Sequence, residues 1–293
     1  MKRRATFRQA AEMEKPLVTP AAHDAFTARM IERAGFKAVA IGGSTMLAAR
    51  HALPDLGLAA LGEMLGGAKD ILDATSLPVI MDGDDGYGDV KSVVRLIRAY
   101  EDLGVGAVVL EDQVREVKQS GNNNARSVAP VESIAQKLRA AVATRDSRDM
   151  MIIARCDAYG LEGVDGAMGR CEKYLKAGVD GVFIPGVRKA EELARVGAAF
   201  RGNYQLVDMV EGKPPWLKPS ELFDMGFNQV VYPAHVMLRA MTAIEQALKG
   251  LRDFAMGHAP LALLPDVDAT RATFRDVVRE QAWVGYESRF KQS

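Results

Sequence analysis

The 293-residue chain has only two cysteines, Cys156 and Cys171, which is no disulfide framework, and neither stands at ligand spacing from any of the four histidines. A disulfide-stapled domain and a zinc site are therefore not expected. No segment approaches about 18 uninterrupted apolar residues, and the first ten residues, MKRRATFRQA, hold no apolar core of a leader, so a cytosolic protein is expected rather than a secreted or membrane-spanning one. Charge of one sign is missing too. Lys+Arg and Asp+Glu balance at 38 each with no basic block, which argues against nucleic acid or an anionic membrane as partner and leaves a small molecule. What is present, 48% hydrophobic and 26% charged residues, suits one large domain or two small ones with ample core.

One phrase recurs along the chain. ERAGFKAVAIGG, EDLGVGAVVLED, LKAGVDGVFIPG and FDMGFNQVVYP each join a helical end to a glycine and then to four to six mostly apolar residues. The glycines Gly35, Gly104, Gly178 and Gly226 stand where a helix ends in a left-handed residue, and the runs lack the alternation of a half-exposed strand. With PLVTPA, LPVIMDGD, MMIIARCD and YQLVDM they make eight buried parallel strands. Helical stretches are expected at 22–34, 60–75, 90–103, 131–145, 164–177, 189–198, 218–225 and 234–250. No GxGxxG follows the first strand, so the open doubly wound sheet loses to a (β/α)8 TIM barrel. We expect a single α/β-barrel domain over 1–293, with the barrel at about 15–250 and a C-terminal helical extension over 251–293.

In a barrel, chemistry gathers at the carboxyl ends of the strands. Asp82 and Asp84 in VIMDGDDGYGD end the third strand, Glu111 and Asp112 the fourth, and Asp55 lies in the loop after the second. Converging carboxylates repel each other, and a hard divalent cation resolves the conflict; Mg²⁺ or Mn²⁺, which take few direct carboxylates and keep water, fit a loose acidic ring. The same string could be a solvated turn. It is not an EF-hand, because Val93 stands where that loop needs its glutamate. Arg155, closing MMIIAR, faces this ring as either a pairing partner or a clamp for a substrate carboxylate.

The ordered motifs PDLGL, MDGDDGYGD, VVLEDQV, IIARCDA, DMVEGKPP and VVYPAHVMLRAM resemble the isocitrate lyase and phosphoenolpyruvate mutase superfamily from about residue 15 to 250, close to its 2-methylisocitrate lyase-like and oxaloacetate decarboxylase-like members. The resemblance implies an α/β barrel whose eighth helix is exchanged between subunits in a homodimer or homotetramer, and a Mg²⁺-bound 2-oxo acid or its enolate. Asp55, Asp82, Asp84 and Glu111 fall on the family's metal-site acids, and Arg155 on its carboxylate-binding arginine. Gly43, Ser44 and Thr45, in GGST, fall on the loop that holds the same carboxylate, where small residues let backbone N–H groups approach an anion; a tight strand-to-helix turn explains them equally.

Departures from the family narrow the chemistry. Where family lyases carry lysine, arginine, cysteine, glycine and histidine, this chain has VKQSGNNN, so that Lys118 stands for the lysine and Ser120 for the cysteine that protonates the leaving carbanion. A serine is a much weaker acid than a thiol. Asp208 replaces the family's asparagine, and its charge repels a second substrate carboxylate unless it is protonated or paired. His235 falls near a substrate-contacting histidine of the decarboxylase-like members, or is a polar cap; Tyr87 could line the same pocket. The loop from about 114 to 130, with its glycine and asparagines, is expected to close over ligand. Mg-dependent decarboxylation of an oxaloacetate-like acid is the first expectation. A 2-methylisocitrate or dimethylmalate type of retro-aldol cleavage is the second, then phosphorus–carbon chemistry or a barrel that has lost catalysis. A class I aldolase lacks its strand-end lysine.

Overall fold

The computed structural model describes residues 5–119 and 125–291. Eight parallel strands form one sheet: β1 (Leu17–Pro20), β2 (Val39–Ile41), β3 (Val79–Asp82), β4 (Ala107–Glu111), β5 (Met151–Arg155), β6 (Gly181–Phe183), β7 (Tyr204–Asp208) and β8 (Gln229–Tyr232). Their order is β1-β8-β7-β6-β5-β4-β3-β2. The seam between β1 and β2 has no ladder; a single parallel bridge, Ala21 to Ala40, closes it, with the Ala22 N–H donating to the Ala40 carbonyl at 2.9 Å. This is the (β/α)8 barrel expected from the recurring joints. Strands packed on both faces bury most of their side chains, all of them in β2 and β4, which is why they read as continuous apolar runs.

The helices are α1 (Phe7–Met13), α2 (Ala25–Arg33), α3 (Gly43–His51), α4 (Leu61–Ala74), α5 (Val90–Leu103), α6 (Val131–Thr144), α7 (Tyr159–Lys176), α8 (Ala190–Ala199), α9 (Pro219–Met225), α10 (His235–Ala255), α11 (Val267–Val277) and α12 (Glu280–Lys291). Gly104, at φ 85°, ends α5 in the left-handed conformation, and Gly178, at φ 92°, repeats the joint before β6. Two helices depart from the sequence reading. α3 occupies what reads as loop, because its short run lacks an apolar stripe and starts on two glycines. The other is α1, capped by a reciprocal Thr6 and Gln9 pair, which buries Phe7, Ala10 and Ala11.

α1 plugs the amino-terminal end of the barrel. Phe7 is fully buried, and a Cβ on Gly106, just before β4, would stand 2.8 Å from the Phe7 Cβ. Asp180 ties this end together by accepting from Arg8, from Arg145 and from the Ile152 N–H at 2.8 Å. Phe7→Ala is therefore expected to cost about 3–5 kcal/mol, the usual range for an emptied aromatic site, and to lower the thermal midpoint. The variant should keep its activity at low temperature, because the chemistry lies at the other end of the strands. Thermal denaturation paired with an activity assay checks both.

The chain divides into two compact units at His235/Val236, whereas the sequence reading placed the edge of the barrel at about 250. In the second unit α10 buries none of its residues, and Leu238, Met241, Ile244, Leu248 and Leu251 form an exposed stripe at helical spacing. Among the described residues no helix is long and apolar enough to cross a membrane.

Candidate active site

The strand ends bring the acids together, as β-strand alternation requires. Ile80 and Asp82 on β3, Val109 and Glu111 on β4, and Ile153 and Arg155 on β5 are two residues apart and so share the interior face. A cavity opens at this end, walled by Gly42, Asp82 and Arg155 on one side and by Phe183, Leu206, Val231 and Pro233 on the other. The two charged lining residues, Asp82 and Arg155, come from β3 and β5 among apolar neighbours such as Ile41, Ile80 and Val109, whereas β6 to β8 and Pro233 contribute apolar side chains alone.

Lys118 holds the centre of the acidic wall. Its ammonium hydrogen-bonds Asp84 and lies 3.1 Å from both Asp55 Oδ1 and Glu111 Oε1. Arg155 donates to Asp157 Oδ1 at 2.7 Å and approaches Glu111 Oε2 at 3.4 Å and Asp82 Oδ2 at 4.0 Å, while its buried Nε has no hydrogen-bond acceptor among the described residues. Burial, reinforced by Asp84, pushes the Asp82 carboxyl up; burial likewise drives Glu111 well up despite Arg155 and Lys118. Asp84 moves the other way, since the effect of its burial is outweighed by Lys118 and Arg115. For Lys118 burial opposes the charged form, yet Glu111 and Asp84 hold its pKa far above the ordinary value.

These residues fit a divalent cation. Among the described residues no three Asp, Glu, His or Cys side chains form a ready cage, because the ammonium of Lys118 stands between the acids. The donors are nonetheless all carboxylate oxygens, and Glu111 Oε2 is buried without a hydrogen bond. In this network six carboxylates (Asp55, Asp82, Asp84, Asp85, Glu111, Asp157) meet four cations (Arg115, Lys118, Lys137, Arg155), an excess of two negative charges. That excess equals the charge of one divalent ion.

The GGST stretch forms the start of α3. Gly42 is its N-cap and makes no side-chain cap, so the first N–H groups of the helix, on Gly43, Ser44 and Thr45, have no partner within the helix. A Cβ on Gly43 would lie 3.5 Å from Asp82 Oδ2 and 3.9 Å from Asp84 Oδ1, which places the helix start beside the acids. The tight strand-to-helix turn expected at GGST is therefore the amino-terminal turn of α3.

Other expected residues are placed differently. Tyr87, at φ 58°, does not line the cavity; its ring packs under Arg115, 4.9 Å from the guanidinium carbon, and burial raises its hydroxyl. Asp112 points into the barrel wall, where it accepts from the Asp157 N–H and the Tyr174 hydroxyl, each at 2.7 Å, and so braces the residue that holds Arg155. His235 follows β8 at the same end, with Nδ1 2.8 Å from Glu211 Oε2. Asp208 is paired with Arg188 at 2.6 Å, which meets the condition under which its charge does not repel a second carboxylate. Ser120 lies outside the described residues, and with it the middle of the loop expected to close. Sequence reasoning missed Arg115, Asp157, Arg188 and Glu211. Asp157 and Glu211 sat unread inside IIARCDA and DMVEGKPP, whereas nothing local marks Arg115 or Arg188.

Comparison with known proteins accords with this geometry. Residues 7–252 match the phosphoenolpyruvate phosphomutase family. The chain is 40% identical over 249 residues to 2,3-dimethylmalate lyase of Eubacterium barkeri, covering 84% of this chain and 86% of that protein. It is 35% identical over 253 residues to a probable 2-methylisocitrate lyase of Corynebacterium glutamicum, covering 86% and 82%. Among solved structures, oxaloacetate acetylhydrolase in complex with the product oxalate superposes with a TM-score of 0.85 at 28% identity, covering 97% of this chain and 96% of that one. With the barrel, the strand-end acids and Arg155 in place, the chain belongs to the phosphoenolpyruvate mutase and isocitrate lyase superfamily and is a carbon–carbon lyase of it.

Proposed function

We propose that the protein cleaves the C2–C3 bond of a short, alkyl-substituted 2-hydroxy acid of the malate type, releasing a 2-oxo acid. The observation that carries this reading is the uneven mouth: Asp82, Arg155 and the start of α3 bring polar groups to one side, and Phe183, Leu206, Val231 and Pro233 make the other apolar. The charged wall suits a carboxylate beside an oxygen-bearing carbon. The apolar wall suits methyl groups on the neighbouring carbon better than a third carboxylate. The 40% identity to an enzyme named for 2,3-dimethylmalate supports the same class.

Arg155 and the α3 N–H groups would hold the C1 carboxylate, the buried Nε supplying a donor that the described residues leave unused. A divalent ion, Mg²⁺ or Mn²⁺, held by Asp55, Asp82, Asp84 and Glu111, would when bound supply electrostatic stabilisation to oxygen at C2. Lys118 brings further positive charge to the same point, and the apolar wall keeps water from the reacting carbons. Decarboxylation of an oxaloacetate-like acid is the second reading, favoured by His235, which follows β8 at the same end of the barrel and lies close to Glu211. In keeping with the exposed apolar stripe of α10, the chain self-associates through that helix as a homodimer or homotetramer.

Incubating the protein and Mg²⁺ with 2,3-dimethylmalate, 2-methylisocitrate or oxaloacetate tests the choice. The expected result is 2-oxo acid release fastest from 2,3-dimethylmalate, followed by a coupled reductase assay. Carbon dioxide release from oxaloacetate as the dominant activity overturns it in favour of the decarboxylase.

A further inference from the structure

Beyond the residues that line the cavity, the carboxyl ends of β6 and β7 carry a second cation, Arg188. On β7, Leu206 lines the cavity, and strand alternation turns Asp208, two residues on, toward the same interior at the carboxyl end. Asp208 is only 1% exposed and both its oxygens are engaged. Oδ1 accepts from the Gly186 N–H at 3.0 Å, and Oδ2 accepts from Arg188 Nη2 at 2.6 Å. Nη1 of Arg188 also reaches the Asp208 carbonyl at 3.3 Å, while among the described residues its Nε has no acceptor. A buried carboxylate thus fixes one guanidinium on the β6–β7 side with donors to spare, and the apolar residues Phe183 and Leu206 lie on the strands beneath it.

We propose that Arg188, aimed by Asp208, binds the carboxylate of the fragment that leaves, so that the substrate is a dicarboxylic acid with one carboxylate at Arg155 and the other at Arg188; this rests on the lyase reading. In the cleavage the C2 hydroxyl gives up its proton and C2 becomes a carbonyl. The C2–C3 electron pair passes to C3 and spreads into the attached carboxylate, whose charge rises. C3 then takes up a proton, leaving a 2-oxo acid and a monocarboxylic acid with no oxidant or reductant needed. A guanidinium on that carboxylate binds the charge-rich transition state more strongly than the substrate. Decarboxylation makes the opposite demand. There the same carboxylate must lose its charge to depart as carbon dioxide, and a cation clamped on it holds it back. Arg188 therefore favours C2–C3 cleavage over loss of carbon dioxide. Asp208 is its positioning residue.

The test is binding of two probes with Mg²⁺ present, read by calorimetry on wild type, Arg188→Gln, Arg188→Lys and Asp208→Asn. Oxalate reports the Arg155 end alone, and 3,3-difluorooxaloacetate reports both carboxylates. Arg188→Gln is expected to weaken the difluorinated diacid by about 30-fold and to leave oxalate within about 2-fold, as loss of one charge-assisted pair predicts. Arg188→Lys recovers part of the loss, and Asp208→Asn follows Arg188→Gln in direction. Equal weakening of both probes, or no weakening of the diacid in folded Arg188→Gln protein, overturns the assignment. If wild type cleaves no 2-hydroxy diacid yet the contrast between probes persists, the lyase reading fails and the Arg188 site stands.

Discussion

Chelation with EDTA is expected to abolish turnover, and Mg²⁺ or Mn²⁺ to restore it. The reason is electrostatic. Four carboxylates, Asp55, Asp82, Asp84 and Glu111, crowd one side of the mouth, and the ammonium of Lys118 and the guanidinium of Arg155 neutralise only part of their charge. Without a further cation, Asp82 and Glu111 are pushed toward their protonated forms by burial. A divalent ion makes ionisation of all four acids affordable and places charge where oxygen at C2 becomes negative. Asp84→Asn removes the acid that Lys118 and Arg115 hold most firmly ionised, and should weaken Mg²⁺ binding by at least about 10-fold, as expected for loss of a charged ligand. Lys118→Met should tighten Mg²⁺ binding to the ligand-free protein, because the ammonium stands among the same oxygens. Calorimetric titration separates these outcomes from turnover. Full activity in EDTA would remove the metal from the reaction.

Replacing Arg155 by glutamine should lower kcat/KM by about 10³-fold or more, the scale seen when a charge-stabilising donor is lost from a water-poor site. Arg155 is the cation at the end of β5 whose Nε finds no acceptor among the described residues, while Nη2 is spent on Asp157. That division of labour explains why lysine is a poor substitute: one point charge cannot pair Asp157 and also present a planar edge to a carboxylate. Arg155→Lys should therefore recover less than about a tenth of the lost activity. Removing the guanidinium also leaves Asp157 and Glu111 short of a partner, so the variant should lose about 3 kcal/mol of stability, typical for breaking a buried pair. Oxalate affinity, measured well below the lowered melting point, distinguishes a lost carboxylate contact from general loosening. Unchanged oxalate binding in Arg155→Gln would move the C1 carboxylate elsewhere.

The recurring joint at Gly104 and Gly178, and the apolar runs that follow, were enough to count the strands, because helix caps and two-sided burial leave their marks within a few residues of sequence. The helix at 90–103 was expected at the limits it occupies, fixed by Asp89 at one end and Gly104 at the other. α3 escaped because it opens on glycines and its buried residues, Gly43 and Thr45 to Leu47, cluster in its first half instead of recurring at helical spacing, so that no periodicity announces it. α1 escaped because its partners, the feet of β4 and β5, lie some hundred or more residues away along the chain.

For the site, the strand-end rule alone placed Asp82, Glu111 and Arg155 in one ring, since a residue's parity on a strand decides which way it faces. Pairing is another matter. Whether Asp208 repels a substrate carboxylate or aims an arginine depends on Arg188, twenty residues earlier and on the neighbouring strand's exit. That Lys118 gathers Asp55, Asp84 and Glu111 depends on how the chain after β4 turns back over the mouth. Local sequence carries strand polarity, caps and burial. Only the closed barrel, by setting which strand ends are neighbours and at what register, determines which charges meet, and long flexible side chains meet whatever that register brings within reach.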